Sequence, residues 1–119
     1  MPTDFIGLFA ILAASRVRFV LVGGLALVLH GLDRLTADVD LVIDLSAESA
    51  RAANARPTVD IMLAPAVPFE DLWAAASVMN IGGHEVRVAS IEHLIRMKTA
   101  TGRAQDLADV ERLRSKREG

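Results

Sequence analysis

The sequence predicts a small α+β (α/β) domain in which helices flank a mixed β-sheet. Apolar residues make up 52% of its 119 residues and charged residues 24%, which is enough apolar material for one hydrophobic core. Short runs rich in valine, leucine and isoleucine alternate along the chain with segments of helical spacing. No internal repeat or low-complexity linker interrupts this alternation, so we expect residues 1–119 to form a single domain.

Composition excludes several classes of protein. The chain contains no cysteine, which excludes a disulfide scaffold, a zinc finger and a thiol nucleophile. Its formal charge of −2 argues against a protein that coats nucleic acid by charge alone. The longest uncharged run, residues 19–32, is shorter than the roughly 20 apolar residues that span a membrane. Because Asp4 and no basic residue precedes the first apolar stretch, we expect a cytoplasmic protein that does not bind membranes.

The first half of the chain alternates helices and strands around a pair of glycines. Apolar residues at positions 5, 8, 9 and 12 follow helical spacing, with Thr3 as the N-cap. A β-rich run ends at Gly23-Gly24, and Gly31 ends the apolar helical segment that follows. The predicted elements of this half are, in order, a helix over 5–15, a strand over 17–22, a helix over 25–29, a strand over 38–44, a short helix over 46–54 and a strand over 58–63.

The second half predicts a hairpin followed by two helices. Gly82-Gly83 is a hairpin turn signal. Ser90 is an N-cap signal, and Gly102 is a helix stop. The predicted elements are a helix over 69–76, strands over 78–81 and 85–88, a helix over 91–100, and a helix over 103–116 in which Leu107, Val110 and Leu113 face inward.

Three features of the sequence can carry chemistry. Gly23-Gly24 lies between a strand and a helix, where backbone without side chains lets a phosphate approach closely, although a plain turn has the same pattern. Asp38 and Asp40 are two apart on a strand, so their carboxylates share a face with Thr36 and repel each other unless a cation binds there. The third feature is an acid at position 60, inside an apolar strand, where burial without a partner is costly.

These acids could form one site. If the strands of Asp40 and Asp60 are neighbours, three carboxylates come together, and such a cluster can hold two magnesium ions about 4 Å apart that clamp the in-line displacement of a phosphoryl group. A solvated strand start at Asp38 and Asp40, and an edge strand that turns Asp60 to water, are the alternatives.

The order of these features resembles the nucleotidyltransferase superfamily of DNA polymerase beta. Its pattern is an apolar residue, Gly, then Gly or Ser, a spacer, an Asp-x-Asp pair and a later single acid; residues 22–24, 38–40 and Asp60 match it. Residues 22–41 and 88–109 are similar to stand-alone bacterial and archaeal nucleotidyltransferases of the AbiEii and MNT types, often found in toxin–antitoxin pairs. The resemblance extends over residues 17–113.

The resemblance implies a nucleotidyltransferase-like fold, shortened between the second and third strands, and a magnesium-dependent enzyme. Such an enzyme transfers a nucleoside monophosphate from a nucleoside triphosphate such as ATP to an acceptor hydroxyl on an RNA 3′ end, a protein or a small molecule. The residues that it implies are the catalytic and metal-binding carboxylates Asp38, Asp40 and Asp60 and the nucleotide contacts Gly23, Gly24, Arg34, Thr36, Lys98 and Arg103.

Some of these roles have alternatives. Lys98 and Arg103 either contact the nucleotide phosphates or hold Asp106 in a salt bridge, and a lysine that snorkels to the surface is the commoner case. His30 is expected to be a satisfied histidine on a helix face rather than a ligand. Asp60 is expected to complete the metal site and to help deprotonate the acceptor hydroxyl.

The chain departs from the family pattern in two places. Gly24 stands where many active members carry serine, and only 15 residues separate Asp44 from Asp60. The short interval leaves a sheet edge open, which favours a homodimer. The alternative function is a catalytically degenerate module that acts as one partner in a toxin–antitoxin pair, and a plain structural domain is the third. Basic residues at 112, 114, 116 and 117 are expected to give RNA or a polyphosphate a foothold, and a solvated helix end is the alternative.

Overall fold

The computed structural model describes residues 5–14, 18–33, 39–44, 59–62 and 66–118. These ranges contain five helices and five strands, which confirms the mixed α+β class. In chain order they are α1 (Phe5–Ala14), β1 (Phe19–Val22), α2 (Gly23–Leu29), β2 (Val39–Ile43), β3 (Val59–Met62), α3 (Phe69–Ala75), β4 (Ser77–Ile81), β5 (His84–Val88), α4 (Ile91–Thr101) and α5 (Ala104–Glu118).

The strands form one mixed sheet in the order β3-β2-β1-β5-β4. β1 runs antiparallel to β2 and parallel to β5, while β2 and β3 are parallel and β4 and β5 form the predicted hairpin. In the β2–β3 pair, Asp40 lies opposite Asp60. The sheet therefore makes neighbours of the two strands that carry the predicted site acids.

The core lies where α1, α2 and α3 pack against the central strands, and buried residues of α4 and α5 join the same cluster. All four residues of β1 are buried, and in β2 the predicted core residues Val39 and Leu41 are fully buried. The ring of Phe9 stacks on that of Phe19, with centroids 6.1 Å apart. Each fully buried apolar side chain of this kind stabilises the fold by about 1.5–3 kcal/mol, so the burial of β1 and β2 holds the site-bearing strands rigidly.

Helix α2 begins at Gly23, two residues before the predicted start. Of the two glycines only Gly23, the first residue of the helix, takes a positive φ (+70°), and it reverses the chain after β1. One residue in the left-handed conformation is enough for this turn, so Gly24 can take the ordinary helical conformation. The strand before it begins at Phe19, inside the predicted range.

The ends of α4 follow the sequence signals. Ser90 caps the helix, since its Oγ accepts the backbone N–H of His93 at 3.1 Å. Gly102 ends the helix in a left-handed conformation with φ of +68°. Helix α5 starts one residue later than predicted and continues to Glu118.

The predicted inward stripe of α5 was wrong at one position. Val110 and Leu113 are buried, but Leu107 is 49% exposed, and Asp106 and Asp109 are buried instead. The helix is rotated so that these two acids, which share a face with Val110 and Leu113, point inward. Lys98 pairs with both acids, and this compensates for the cost of burying them.

The remaining predicted elements fall close to the observed ones. Helix α3 ends at Ala75, and each strand of the hairpin starts one residue earlier than predicted. The Thr3 cap and the helix over 46–54 lie outside the described residues. In the described ranges, no helix combines the length and the apolar character needed to cross a bilayer.

Candidate active site

A cleft of about 220 Å³ lies between the end of the central strands and the α4–α5 pair. One of its walls comes from the β1–α2 turn and β2, and the other from α4 and the start of α5. The residues that line it are Val22, Gly23, Asp40, Leu94, Met97, Lys98, Thr101, Arg103 and Asp106.

The sheet wall brings a carboxylate into contact with a glycine. The register of β1 and β2 sets Val22 opposite Asp40, so Asp40 lies beside the residue that follows β1. A Cβ atom on Gly23 would stand 2.0 Å from Oδ2 of Asp40, which is far inside van der Waals contact. Position 23 therefore requires glycine for two reasons: its φ is positive, and the neighbouring carboxylate leaves no room for a side chain.

The helix wall is organised around a buried carboxylate. Asp106 is 3% exposed, and its oxygens accept hydrogen bonds from Lys98 Nζ at 3.2 Å, Thr101 Oγ1 at 2.8 Å and Arg103 Nε at 2.8 Å. Burial raises the pKa of Asp106, but the three hydrogen bonds and the charge of Lys98 outweigh burial and hold this pKa well below its usual range. Asp106 is therefore ionised at neutral pH.

The two cations of this wall differ in what they contact. Lys98 Nζ lies 3.2 Å from oxygens of both Asp106 and Asp109, and its side chain is only 16% exposed. The side chain of Arg103 is 77% exposed and contacts Asp106 through Nε. Lys98 thus balances two buried acids, whereas Arg103 extends into solvent at the rim of the cleft.

The structure brings four of the predicted site residues together around one cleft: Gly23, Asp40, Lys98 and Arg103. For Lys98 and Arg103 it confirms the predicted salt bridge to Asp106, and the expectation that Lys98 snorkels to the surface was wrong, because its side chain is only 16% exposed. Gly24 lies half-buried in the first turn of α2, outside the cleft lining.

Other predicted site residues lie outside the described part of the chain. Arg34, Thr36 and Asp38 belong to the undescribed range 34–38, and at Asp60 the structure describes only the backbone. Among the side chains that are described, no three acids or histidines lie close enough together to hold a metal ion. The predicted carboxylate cluster accordingly stays a prediction.

His30 is confirmed as a satisfied histidine. Its Nε2 lies 2.8 Å from the backbone oxygen of Ala89, which accepts the hydrogen bond. This contact ties the end of α2 to the segment that leads from β5 into α4. The residue therefore positions the helix wall and is absent from the cleft lining.

Sequence reasoning left out four residues that line the cleft: Val22, Leu94, Met97 and Thr101. The last three lie on one side of α4 with Lys98, because positions 94, 97, 98 and 101 follow the i, i+3, i+4, i+7 spacing of a helix face. That spacing was a usable signal once Lys98 had been singled out. For Val22, the signal was its place directly before the glycine pair.

The fold is that of a nucleotidyltransferase-like protein. The crystal structure of an antigenic nucleotidyltransferase-like protein from Paracoccidioides brasiliensis is similar to this chain, with a TM-score of 0.58, 17% sequence identity, and coverage of 95% of this chain and 78% of that one. The chain itself belongs to the family described as "Nucleotidyltransferase of unknown function (DUF6036)", whose model matches residues 10–114. None of the curated proteins matches the sequence.

Proposed function

We propose that this chain is a magnesium-dependent enzyme that transfers a nucleoside monophosphate from a nucleoside triphosphate to an acceptor hydroxyl and releases pyrophosphate. One observation carries the proposal: the Asp40 carboxylate sits against the bare backbone of Gly23 at a cleft whose opposite rim carries Arg103. Phosphoryl transfer uses this combination, because bare backbone and a cation bind phosphate oxygens while the carboxylate holds the metal ion that contacts them. Membership of the nucleotidyltransferase family supports the same chemistry.

The donor set fits a hard divalent cation. Asp40 and Asp60 are paired in register on parallel strands, and Asp38 precedes Asp40 by two residues in the sequence, so the proposed metal site takes its ligands from these three carboxylates. These residues would hold Mg²⁺, which, when bound, neutralises charge on the phosphates and makes the acceptor oxygen a better nucleophile.

Other residues of the cleft would bind the phosphates and the base or sugar of the nucleotide. Without a side chain, Gly23 leaves room for a phosphate beside β1, and the exposed guanidinium of Arg103 can donate hydrogen bonds to phosphate oxygens. Asp106 holds Arg103 by its Nε, which leaves the terminal nitrogens of the guanidinium to face the ligand. Leu94 and Met97 supply the apolar part of the cleft, against which a base or sugar can pack.

The proposed reaction is a displacement at the α-phosphorus, so it needs no oxidant or reductant. The acceptor oxygen attacks the α-phosphorus and forms a new P–O bond, while the bond from that phosphorus to the bridging oxygen breaks. Pyrophosphate leaves with the bonding electrons, and Asp60 accepts the proton of the acceptor hydroxyl. The acceptor is the 3′ end of an RNA, a protein side chain or a small molecule.

Release of pyrophosphate tests the proposal. The chain is incubated with each common nucleoside triphosphate and Mg²⁺, with transfer RNA, with protein or with the chain alone as acceptor. We expect turnover that depends on Mg²⁺, and a loss of about a hundredfold or more in Asp40→Asn. The matched control is Asp71→Asn, an exposed acid on α3 away from the cleft. Absence of turnover, or equal turnover in the two variants, would overturn the proposal.

The second candidate is a catalytically degenerate module that pairs with another protein, as in toxin–antitoxin pairs. Gly24 favours it, because glycine lacks the hydroxyl that serine offers to phosphates in many active relatives of this kind. This candidate predicts that a partner co-purifies and that Asp60→Ala preserves the biological effect. A nucleotide at 100 times its dissociation constant would still stabilise the fold by about 2.7 kcal/mol, without release of pyrophosphate.

A further inference from the structure

The helix wall of the cleft has two ends. Helices α4 and α5 pack more closely on each other than on any other element, and α5 runs back beside α4. Arg117 near the end of α5 therefore forms an ion pair with Glu92 in the first turn of α4. We call this end, residues 89–92 and 112–117, the root of the pair. The opposite end, residues 97–106, is the tip, and most of the residues that line this wall of the cleft belong to it.

Ala89, at the root, is fixed to the sheet wall through both of its backbone polar groups. Its N–H donates to the backbone oxygen of Leu21 in β1 at 2.9 Å. Its oxygen accepts a hydrogen bond from His30 Nε2 at 2.8 Å, and the proton lies on Nε2 because a carbonyl oxygen only accepts. His30 directly follows α2, which begins at Gly23 in the cleft. The hydrogen bond therefore joins the helix that starts in the sheet wall to the entry of α4.

The segment that follows His30 lies against the root as well. Arg112 Nη1 donates to the backbone oxygen of Asp33 at 3.3 Å. A Cβ on Gly31 would lie 3.2 Å from Nζ of Lys116, one turn beyond Arg112, so this face of α5 lies over the segment. The hydrogen bonds of His30 and Arg112 thus attach the root to one short stretch of chain, residues 30–33.

The hydrogen bond from His30 has a direct effect on where α4 begins. Ala89 is fully buried, so without His30 its oxygen would lose its hydrogen bond in a site shielded from water. The entry to α4 would then shift until that oxygen finds another donor. Because α4 has 11 residues and is about 16 Å long, a tilt of about 5° at the root moves its far end by about 1.4 Å.

We propose that His30 and Arg112 are positioning residues for nucleotidyl transfer, which hold the α4–α5 pair at one tilt and thereby set the width of the cleft. Arg103 belongs to the tip, whereas Gly23 and Asp40 belong to the sheet wall. The width decides whether one phosphate chain reaches both walls at once. The kinetic part of this inference rests on the proposed function, and the width itself does not.

Spin labels on the two sides of the cleft measure the width without any reaction. The chain has no cysteine, so labels at Ala74→Cys on α3 and Ala104→Cys at the tip report one distance. Both positions are exposed, and neither lines the cleft. His30→Leu removes the donor, and we expect a broader distance distribution whose mean is shifted by about 1–2 Å. His30→Gln, whose amide N–H can donate to the same oxygen, should restore the distance.

Matched controls separate this effect from the loss of any histidine or arginine. His84→Leu, at a half-buried histidine of the β4–β5 hairpin, should leave the distance unchanged. Arg112→Gln should shift the distance less than His30→Leu does, because its contact is exposed. Arg114→Gln should not shift it, since the partner of Arg114 is Glu111 on α5 itself. Thermal melts establish that each variant folds, and the exposed Arg112 provides a test that does not disturb the core.

Release of pyrophosphate connects the width to the reaction. In folded His30→Leu we expect kcat/KM for the nucleoside triphosphate to fall about tenfold or more, because a misplacement of about 1 Å is costly to a positioned displacement. His30→Gln should recover most of this loss. A merely structural role would lower the melting temperature and leave kcat/KM of the folded protein unchanged.

Each outcome decides the proposal. A distance that shifts in His30→Leu and returns in His30→Gln, together with the fall in kcat/KM, supports it. An unchanged distance in His30→Leu and Arg112→Gln, or a shifted distance with unchanged kcat/KM, overturns it. A chain without turnover in any form overturns the proposed function alone, and the spin-label distances then decide by themselves whether these residues set the width.

Discussion

The two walls of the cleft place charge in opposite ways. On the sheet wall, Asp40 is held by backbone register and stands against a glycine that leaves no room for a side chain. On the helix wall, side chains do the work: Asp106 and Asp109 are buried, and Lys98 lies between them. The first wall is built by main-chain geometry and the second by ion pairs.

This difference between the walls predicts that substitutions on one wall affect mainly stability and that substitutions on the other affect mainly the proposed reaction. Lys98 and Arg103 are both cations of the helix wall. Lys98 forms ion pairs with buried acids, whereas the side chain of Arg103 is mostly exposed to solvent. A substitution on the helix wall should therefore change the free energy of unfolding more, the more deeply the substituted side chain is buried. A substitution on the sheet wall should act through steric conflict and through the carboxylate.

Loss of Lys98 is the largest effect that we expect. Lys98→Met leaves the buried carboxylate of Asp109 without its ammonium and removes one of three donors to Asp106, so the free energy of unfolding should fall by about 3 kcal/mol. Urea denaturation measures it, with the exposed Lys116→Met as the control, which should change stability by no more than about 0.5 kcal/mol. A loss below about 1 kcal/mol for Lys98→Met would show that the helix wall is not held by charge.

A methyl group at position 23 tests the sheet wall. Gly23→Ala combines a positive φ with a contact to the Asp40 oxygen, and we expect a loss of about 2–3 kcal/mol. Gly83→Ala has a positive φ of +85° but nothing within 4 Å, so it should cost only the strain of about 1 kcal/mol.

The double variant Gly23→Ala, Asp40→Ala isolates the steric part by chemical denaturation. Truncating Asp40 removes the oxygen at 2.0 Å and leaves only its Cβ, at 2.9 Å, so the loss in the double variant should be smaller than the sum of the two single losses. Strict additivity, or equal losses in Gly23→Ala and Gly83→Ala, would mean that the carboxylate moves aside at little cost.

The fall in the free energy of unfolding at acid pH should depend on Asp106. Because its pKa is lowered in the folded state, Asp106 stabilises the fold above the unfolded pKa of about 3.9, and this contribution disappears as the pH falls through and below that value. Unfolding by urea at pH 5 and pH 3 should show a smaller difference in Asp106→Asn than in the unmodified chain. An identical difference in both would assign the acid sensitivity to other carboxylates.

Arg103→Ala should have the smallest effect on folding. Its side chain is 77% exposed, so the ion pair with Asp106 contributes about 0.5 kcal/mol. If the proposed reaction is correct, the same variant loses pyrophosphate release while it keeps its melting temperature. A stability loss as large as that of Lys98→Met would contradict the division between the two cations.

Local signals in the sequence predicted much of the fold. The Ser90 cap, the Gly102 stop and the Gly82-Gly83 turn each act over a few residues, and each lies where it was expected. The condition for the predicted carboxylate site, that the strands of Asp40 and Asp60 are neighbours, is met by the pairing of β2 with β3. Leu107 was misplaced because the orientation of α5 depends on a pairing with another helix, which helical periodicity alone does not contain.

The sequence by itself determined the elements of this protein, because caps, glycine turns and apolar runs act between residues close in the chain. Only the tertiary structure decided that Asp40 meets Gly23, that Lys98 is committed to two buried acids, and that β4 lies at an edge. These outcomes depend on strand order and helix packing, which bring together groups distant in sequence. Their energies arise from contact and desolvation, which exist only after the chain has folded.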